Sequence, residues 1–200
     1  MANLQTVLAA ARLKDNFVRI DMEGSSYTQR TMDLFRKARA EFANVGIVIQ
    51  AYLYRSEGDI AQLAAEGAAV RLCKGAYKEP SDVAFPEKRD VDENYKKLAD
   101  LLLDSAAISR GARPAIATHD PIMIAHAKSL VASRKIPREA FEFQMLYGIR
   151  RDLQREIVDE GYTLRIYVPF GEEWYPYFMR RLAERPANVG FILKNLWKEG

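Results

Sequence analysis

The chain holds a single cysteine, Cys73, so no disulfide can form within it. That usage fits a reducing compartment. Histidine is almost as scarce, with His119 and His126 the two examples. A histidine-rich zinc site needs more ligands than these positions offer. Nothing points to a carboxylate site for Mg²⁺ or Mn²⁺, and no metal is expected. No stretch approaches the roughly 18 uninterrupted apolar residues of a membrane span. Met1 to Lys14 lacks the basic start and apolar run of a secretory signal. Neither sign of charge is in excess: 30 basic and 27 acidic side chains leave a formal net charge of +3. A nucleic-acid binder would carry a basic stripe, so nucleic acid is not an expected partner. There is no Gly-rich dinucleotide fingerprint, no Walker motif, no low-complexity tract and no linker. What is present is 200 residues, 48% of them hydrophobic, enough for one domain with a sizeable core.

Short apolar, β-branched runs recur along the chain: Phe17–Met22, Val45–Ala51, Ala69–Lys74, Pro114–Thr118, Phe141–Leu146 and Thr163–Val168. Helical spacing of apolar residues marks Thr28–Phe42, Asp92–Ser105, Pro121–Ser133 and Asp152–Glu160, with a further helix, Leu4–Leu13, ahead of the first strand. Strand alternating with helix gives βαβ units and a parallel sheet. The polar residues gather at the C-terminal strand ends: Asp21 and Glu23, Gln50, Lys74, His119 and Asp120, Gln144, Tyr167. A barrel brings all its strand ends around one site, whereas an open sheet uses only those beside a switch point. The expected fold is therefore α/β, a (β/α)₈ TIM-type barrel truncated to about six βα units. A full barrel takes about 250 residues. The longest irregular stretch, Tyr77–Val91, contains Pro80 and Pro86, and a loop of that length is often functional.

Several groupings carry candidate chemistry. Arg71 and Lys74 close the third strand in V-R-L-C-K-G-A-Y, where Gly75 and Ala76 leave room for a ligand near the backbone. A cationic pair there binds an anion or stabilises charge on a reduced cofactor; a solvated lysine and a salt-bridged arginine are the bland alternative. Thr118, His119, Asp120 and Pro121 pass from strand into helix. Thr118 and Asp120 suit a helix cap and Pro121 the first turn, so Asp120 has a structural reading as well. Tyr177 stands i,i+3 from Arg180 and i,i+4 from Arg181, beside Trp174. Paired guanidinium groups match a substrate carboxylate; a surface arginine pair is the alternative. Asp21 ends the first strand as a hydrogen-bonding group, base or cap. Gln144 is an amide among apolar neighbours that needs partners, which a planar heterocycle or other side chains supply equally well.

Taken together, these segments resemble the proline dehydrogenase family, in particular its bacterial monofunctional branch. The matching stretches read V-R-I-D-M-E (18–23), I-Q-A-Y-L-Y-R (49–55), V-R-L-C-K-G-A-Y-K-E-P (70–80) and A-F-P-E-K-R (84–89). They continue with A-T-H-D-P (117–121), F-E-F-Q-M-L-Y-G-I-R (141–150), R-I-Y-V-P-F-G (165–171) and W-Y-P-Y-F-M-R-R-L-A-E-R-P-A-N (174–188). The resemblance implies a distorted (β/α)₈ barrel with FAD at its C-terminal mouth. It implies that Arg71 stabilises negative charge on the reduced ring and that Asp21 belongs to the active site. Met22, Gln50, Arg71, Lys74, Gly75, Ala76, Thr118, His119 and Gln144 then line the FAD site. Arg180 and Arg181 hold the carboxylate of L-proline, and Leu146, Tyr167 and Tyr177 wall its ring. The implied reaction is hydride transfer to the flavin, giving Δ1-pyrroline-5-carboxylate, with electrons passed to a quinone. That places a cytoplasmic chain in peripheral contact with the inner membrane.

The resemblance begins at the family's third barrel strand, so the N-terminal helices, the first two strands and a substrate-binding lysine on the second have no counterpart. The open barrel is expected to self-associate or to take a partner chain, because unpaired strand edges find partners. Two other readings stand beside the dehydrogenase: a non-catalytic or partner-completed remnant that binds FAD or another chain, and an aldolase-type barrel using Lys74 for a Schiff base.

Overall fold

The protein is described here from a computed structural model, which places residues 1–172; Met1–Ile166 form one compact unit. The elements run α1 (Ala2–Arg12), β1 (Val18–Ile20), α2 (Thr28–Arg39), β2 (Val45–Gln50), α3 (Ser56–Ala65), β3 (Val70–Cys73), α4 (Lys88–Leu102), α5 (Ser105–Ser109), β4 (Ala115–Ala117), α6 (Pro121–Ser133), β5 (Glu142–Leu146), α7 (Arg151–Asp159) and β6 (Leu164–Tyr167).

The six strands lie in one sheet in the order β1-β2-β3-β4-β5-β6, and the pairs from β1 to β5 are parallel. Each strand joins its sequence neighbour, with no reversal of direction across the sheet. A doubly wound sheet requires such a reversal. Right-handed crossovers then put every helix on the same side, and the result is a truncated TIM-type barrel.

Local sequence explains the elements. All six residues of β2, V-G-I-V-I-Q, are buried, as expected for a parallel strand covered on both faces. In β3, Val70 and Leu72 are buried while Arg71 and Cys73 are half-buried. This two-residue period turns Val70 and Leu72 toward the helices and Arg71 toward the concave side. Tyr95 of α4 is fully buried, and its hydroxyl donates to Leu72 O at 3.2 Å. On α2 the buried set Thr28, Met32, Phe35 and Ala38 follows the helical repeat.

Three features depart from the sequence expectation, one being the short helix α5 (Ser105–Ser109), which begins where the expected Asp92–Ser105 helix was to end. Helix α3 was not anticipated: in S-E-G-D-I-A-Q-L-A-A only Ile60 and Leu63 are large apolar residues on the buried face, too few to mark a period. The stretch Tyr77–Val91 is also less irregular than expected. Helix α4 begins at Lys88. Before it, Leu53 bridges Ala84 in antiparallel fashion, and Phe85 N donates to Tyr52 O at 2.8 Å.

Candidate active site at the strand ends

The register aligns side chains across the concave face. Arg71 is paired with Val48 on one side and Ala115 on the other, and Ala115 with Glu142. Parallel neighbours in register point the same way, and a methyl group at position 115 leaves space between the larger groups. Into that space Arg71 sends its Nε, which donates to Gln144 Oε1 at 2.6 Å. A second arm of the same guanidinium, Nη1, lies 3.6 Å from Asp21 Oδ1. Three residues separated by up to 123 positions thus meet on the concave face: Asp21 just past β1, Arg71 within β3 and Gln144 within β5. The Arg71 side chain is 17% exposed and that of Asp21 59%, so the cation is sheltered and the carboxylate open to solvent.

Behind this group lies a polar network that sequence reasoning missed. Glu142 accepts from the Gln144 amide nitrogen. It also accepts both Nε and Nη2 of Arg165 at 2.8 Å, a bidentate pair. Burial raises the Glu142 carboxyl, but Arg165, Gln144 and Arg19 outweigh it and hold the group below the usual carboxylate range. Arg19 donates to Ile47 O and Ala69 O, each at 3.2 Å. Burial, with Arg71 and Arg165 nearby, pushes its guanidinium down to about 10. The only signal in the sequence was a charged residue inside an apolar strand.

Lys74 is gripped rather than solvated: its Nζ lies 2.7 Å from Asp120 Oδ2 and also donates to Asp92. Asp120 caps α6 through Ile122 N at 3.0 Å, Thr118 Oγ1 accepts Asp120 N at 3.1 Å, and Pro121 occupies the first turn. The expected capping role therefore holds for Asp120, whereas Thr118 braces the amide of the capping residue rather than the helix itself. His119 is half-buried, and its Nε2 accepts Leu146 N at 2.9 Å, tying the end of β4 to the end of β5. That bond requires the tautomer with the proton on Nδ1.

Gln50 donates from Nε2 to Met22 O (3.2 Å) and Glu23 O (2.9 Å). Its Oε1 is buried with no donor among the described residues. Met22 is 5% exposed and packs within the main core. Gly75 has a structural reason that the sequence did not show. Its φ is +117°, and an added Cβ would meet the Tyr52 ring at 2.4 Å. The missing side chain admits the Tyr52 ring, which is a packing reason for glycine at this position; Ala76 beside it is exposed. Leu146 is half-buried, and Tyr167 ends β6 with 38% exposure. Trp174, Tyr177, Arg180 and Arg181 lie outside the described residues.

Two other features lie outside this cluster. The segment after β3 is fastened across the mouth: Glu79 accepts Ser25 N at 2.7 Å and Ser25 Oγ at 2.5 Å, and Tyr77 donates to Glu23. A groove of about 360 Å³ runs along α3, α4 and α5, lined by Ala61, Ala64, Asp100, Asp104 and Arg110. It belongs to the outer helical layer, away from the strand ends.

A truncated parallel barrel with a sheltered arginine, an amide and a carboxylate on its concave face defines the class of this protein as a TIM-type barrel with a polar mouth. The chain belongs to the proline dehydrogenase family, whose sequence profile matches residues 2–194. Proline dehydrogenase 1 of Bacillus subtilis (strain 168) is 47% identical over 199 residues, 100% of this chain and 64% of that protein. Proline dehydrogenase of Deinococcus radiodurans is 43% identical over 200 residues, 99% of this chain and 63% of that protein. The chain thus spans a little under two thirds of the length of these relatives. Among solved structures, proline utilization A of Bdellovibrio bacteriovorus inactivated by N-propargylglycine superposes with a TM-score of 0.83 at 35% identity, covering 90% of this chain and 21% of that one. Proline utilization A of Corynebacterium freiburgense gives 0.69 at 28%, covering 87% and 21%.

Proposed function

We propose that this chain carries the cofactor- and substrate-binding part of an enzyme that oxidises L-proline with FAD. The observation that carries the proposal is the convergence of Arg71, Gln144 and Asp21 on the concave face of a chain in this family. The residues present suit a flavin. Gln50 Oε1 is a buried acceptor that lacks a donor among the described residues, and the Arg71 cation is sheltered where anionic charge gains most from it. Met22, Gln50, Arg71, Lys74, Gly75, Ala76, Thr118, His119 and Gln144 would hold the group.

FAD supplies the hydride acceptor when bound. The protein's part is orientation and charge. Arg71 stabilises negative charge that develops at the site. Gln144 and Asp21 keep its guanidinium in place. Leu146, Tyr167 and Tyr177 wall the pyrrolidine ring, and Arg180 and Arg181 bind the carboxylate. Proline loses a hydride from the carbon that becomes C5 of Δ1-pyrroline-5-carboxylate, and its nitrogen gives up a proton. The electrons pass on to a quinone, which puts the cytoplasmic protein in contact with the inner membrane.

A second reading keeps the binding site but gives its completion to another chain or a second copy. It is favoured by β1 and β6, which end the sheet without a further strand among the described residues. The Schiff-base alternative finds no support, since Lys74 is engaged by two carboxylates rather than presented as a free amine. The test is an absorbance spectrum after FAD addition and desalting, followed by anaerobic L-proline. Retained flavin that bleaches with proline supports dehydrogenation by this chain. Retained flavin that stays oxidised supports the partner-completed reading, and no retained flavin removes both.

A further inference from the structure

We infer that Glu142 is a positioning residue for Arg71, acting through the Gln144 amide, with Arg165 holding Glu142 in place. The inference rests on the assignment of Arg71 to the reacting centre. A glutamine amide has two ends of nearly the same shape, and its partners decide which end points where. Turned over, Gln144 would present its NH₂ to a guanidinium that is itself a pure donor. Glu142 prevents this. As a carboxylate it only accepts, and it accepts from Gln144 Nε2. The oxygen end is thereby committed to Arg71 Nε at 2.6 Å.

The backbone makes Glu142 suited to this task. Glu142 and Gln144 are two residues apart on β5, so both face the concave side. Arg71 and Glu142 share a register row but stand two strands apart, with Ala115 between them. Strands lie about 4.8 Å from one another, so a carboxylate at 142 needs a relay to act on Arg71. Gln144 spans the gap. Arg165, with both bonds at 2.8 Å, leaves Glu142 little freedom to turn away.

The decisive measurement is hydrogen exchange at the Arg71 Nε–H, read by NMR on the purified chain without cofactor and assigned by its loss in Arg71→Lys. Glu142→Gln keeps the shape but offers Gln144 either a donor or an acceptor. Exchange at Arg71 Nε–H is expected to accelerate by about tenfold, the equivalent of losing one hydrogen bond, with the melting transition retained. Unchanged exchange in folded Glu142→Gln overturns the inference. Should that variant not fold, Arg165→Gln decides. The Arg165 side chain is 65% exposed, and the same signal should accelerate, by a smaller factor; no change there overturns the inference equally. In flavin-loaded protein, Glu142→Gln should slow proline-dependent bleaching while leaving proline affinity nearly unaltered. A chain that retains no flavin defeats the dehydrogenase reading, while the exchange result is obtained independently of it.

Discussion

Lys74 Nζ lies 2.7 Å from one oxygen of Asp120, while the other oxygen of the same carboxylate accepts the Ile122 amide at the start of α6. One side chain thus fixes the cation at the end of β3 and the helix that follows β4. Separating the two jobs is straightforward. Asp120→Asn keeps a capping oxygen and removes the charge, whereas Asp120→Ala removes both. Loss of an N-cap costs about 0.5–2 kcal/mol, so urea unfolding should place the Ala variant below the Asn variant by about that amount.

The same pair predicts the acid limb of stability. Burial raises the carboxyls of Asp92 and Asp120, but hydrogen bonds from Lys74 to both, from Lys88 to Asp92 and from the Ile122 amide to Asp120 outweigh it and hold both below the usual range. A carboxyl depressed on folding contributes stability that is present above its unfolded pKa, about 3.9, and lost as pH falls through the folded value. Unfolding free energy measured from about pH 5 downward should therefore decline, and the decline should be shallower in Asp120→Asn. An identical acid limb in both proteins would mean that the Lys74 contact contributes no net stability.

Arg71 offers a test of charge against geometry. Arg71→Lys keeps a cation but lacks the guanidinium fork that reaches Gln144 and Asp21 together. Arg71→Ala removes both. Proline-dependent flavin bleaching is expected to slow by about 10²–10³-fold in the Ala variant, the range for losing one preorganised stabilising donor. The Lys variant should fall between. A Lys variant as slow as Ala would assign the effect to the fork rather than to the charge.

Glu79 fastens the segment after β3 to the turn after β1 through the amide and hydroxyl of Ser25. Glu79→Ala should free that segment without disturbing the core, since Ser25 and Glu79 both lie at the surface edge of the mouth. Trypsin should then cut after Lys78 several times faster, while the urea midpoint moves little. Equal cleavage rates would show that the remaining ties, the Tyr77–Glu23 bond, the Leu53–Ala84 bridge and the Phe85 amide, hold the segment without Glu79.

What the sequence disclosed and what it hid follow from the range of the interactions. The run V-G-I-V-I-Q announces a buried parallel strand without outside help, and T-H-D-P announces a capped helix, because both signals are local. Helix α3 stayed hidden because alanines and a glycine dilute its apolar period. The strand-end site was legible as a row of polar residues, since barrel topology alone gathers them. The relay from Glu142 to Arg71 was not. It depends on which residues share a register row and on the small side chain of Ala115, and neither can be read from spacing along the chain. The roles expected of Tyr177, Arg180 and Arg181 rest on sequence resemblance.

The close approach of Tyr52 to Gly75 is directly testable. Its φ of +117° is unfavourable for any side chain, and a Cβ would stand 2.4 Å from the Tyr52 ring. Gly75→Ala should therefore combine about 1–3 kcal/mol of backbone strain with a steric clash. The two contributions separate in a double-mutant cycle. Tyr52→Leu removes the ring, at a cost of its own because Tyr52 is 7% exposed and packs with Leu53 and Ala84. If the ring is what excludes a side chain, Gly75→Ala should cost markedly less in the Tyr52→Leu background than in the wild type, by denaturant unfolding. Additive costs would place the whole penalty in the backbone, and the close approach of Tyr52 would then be incidental to the glycine.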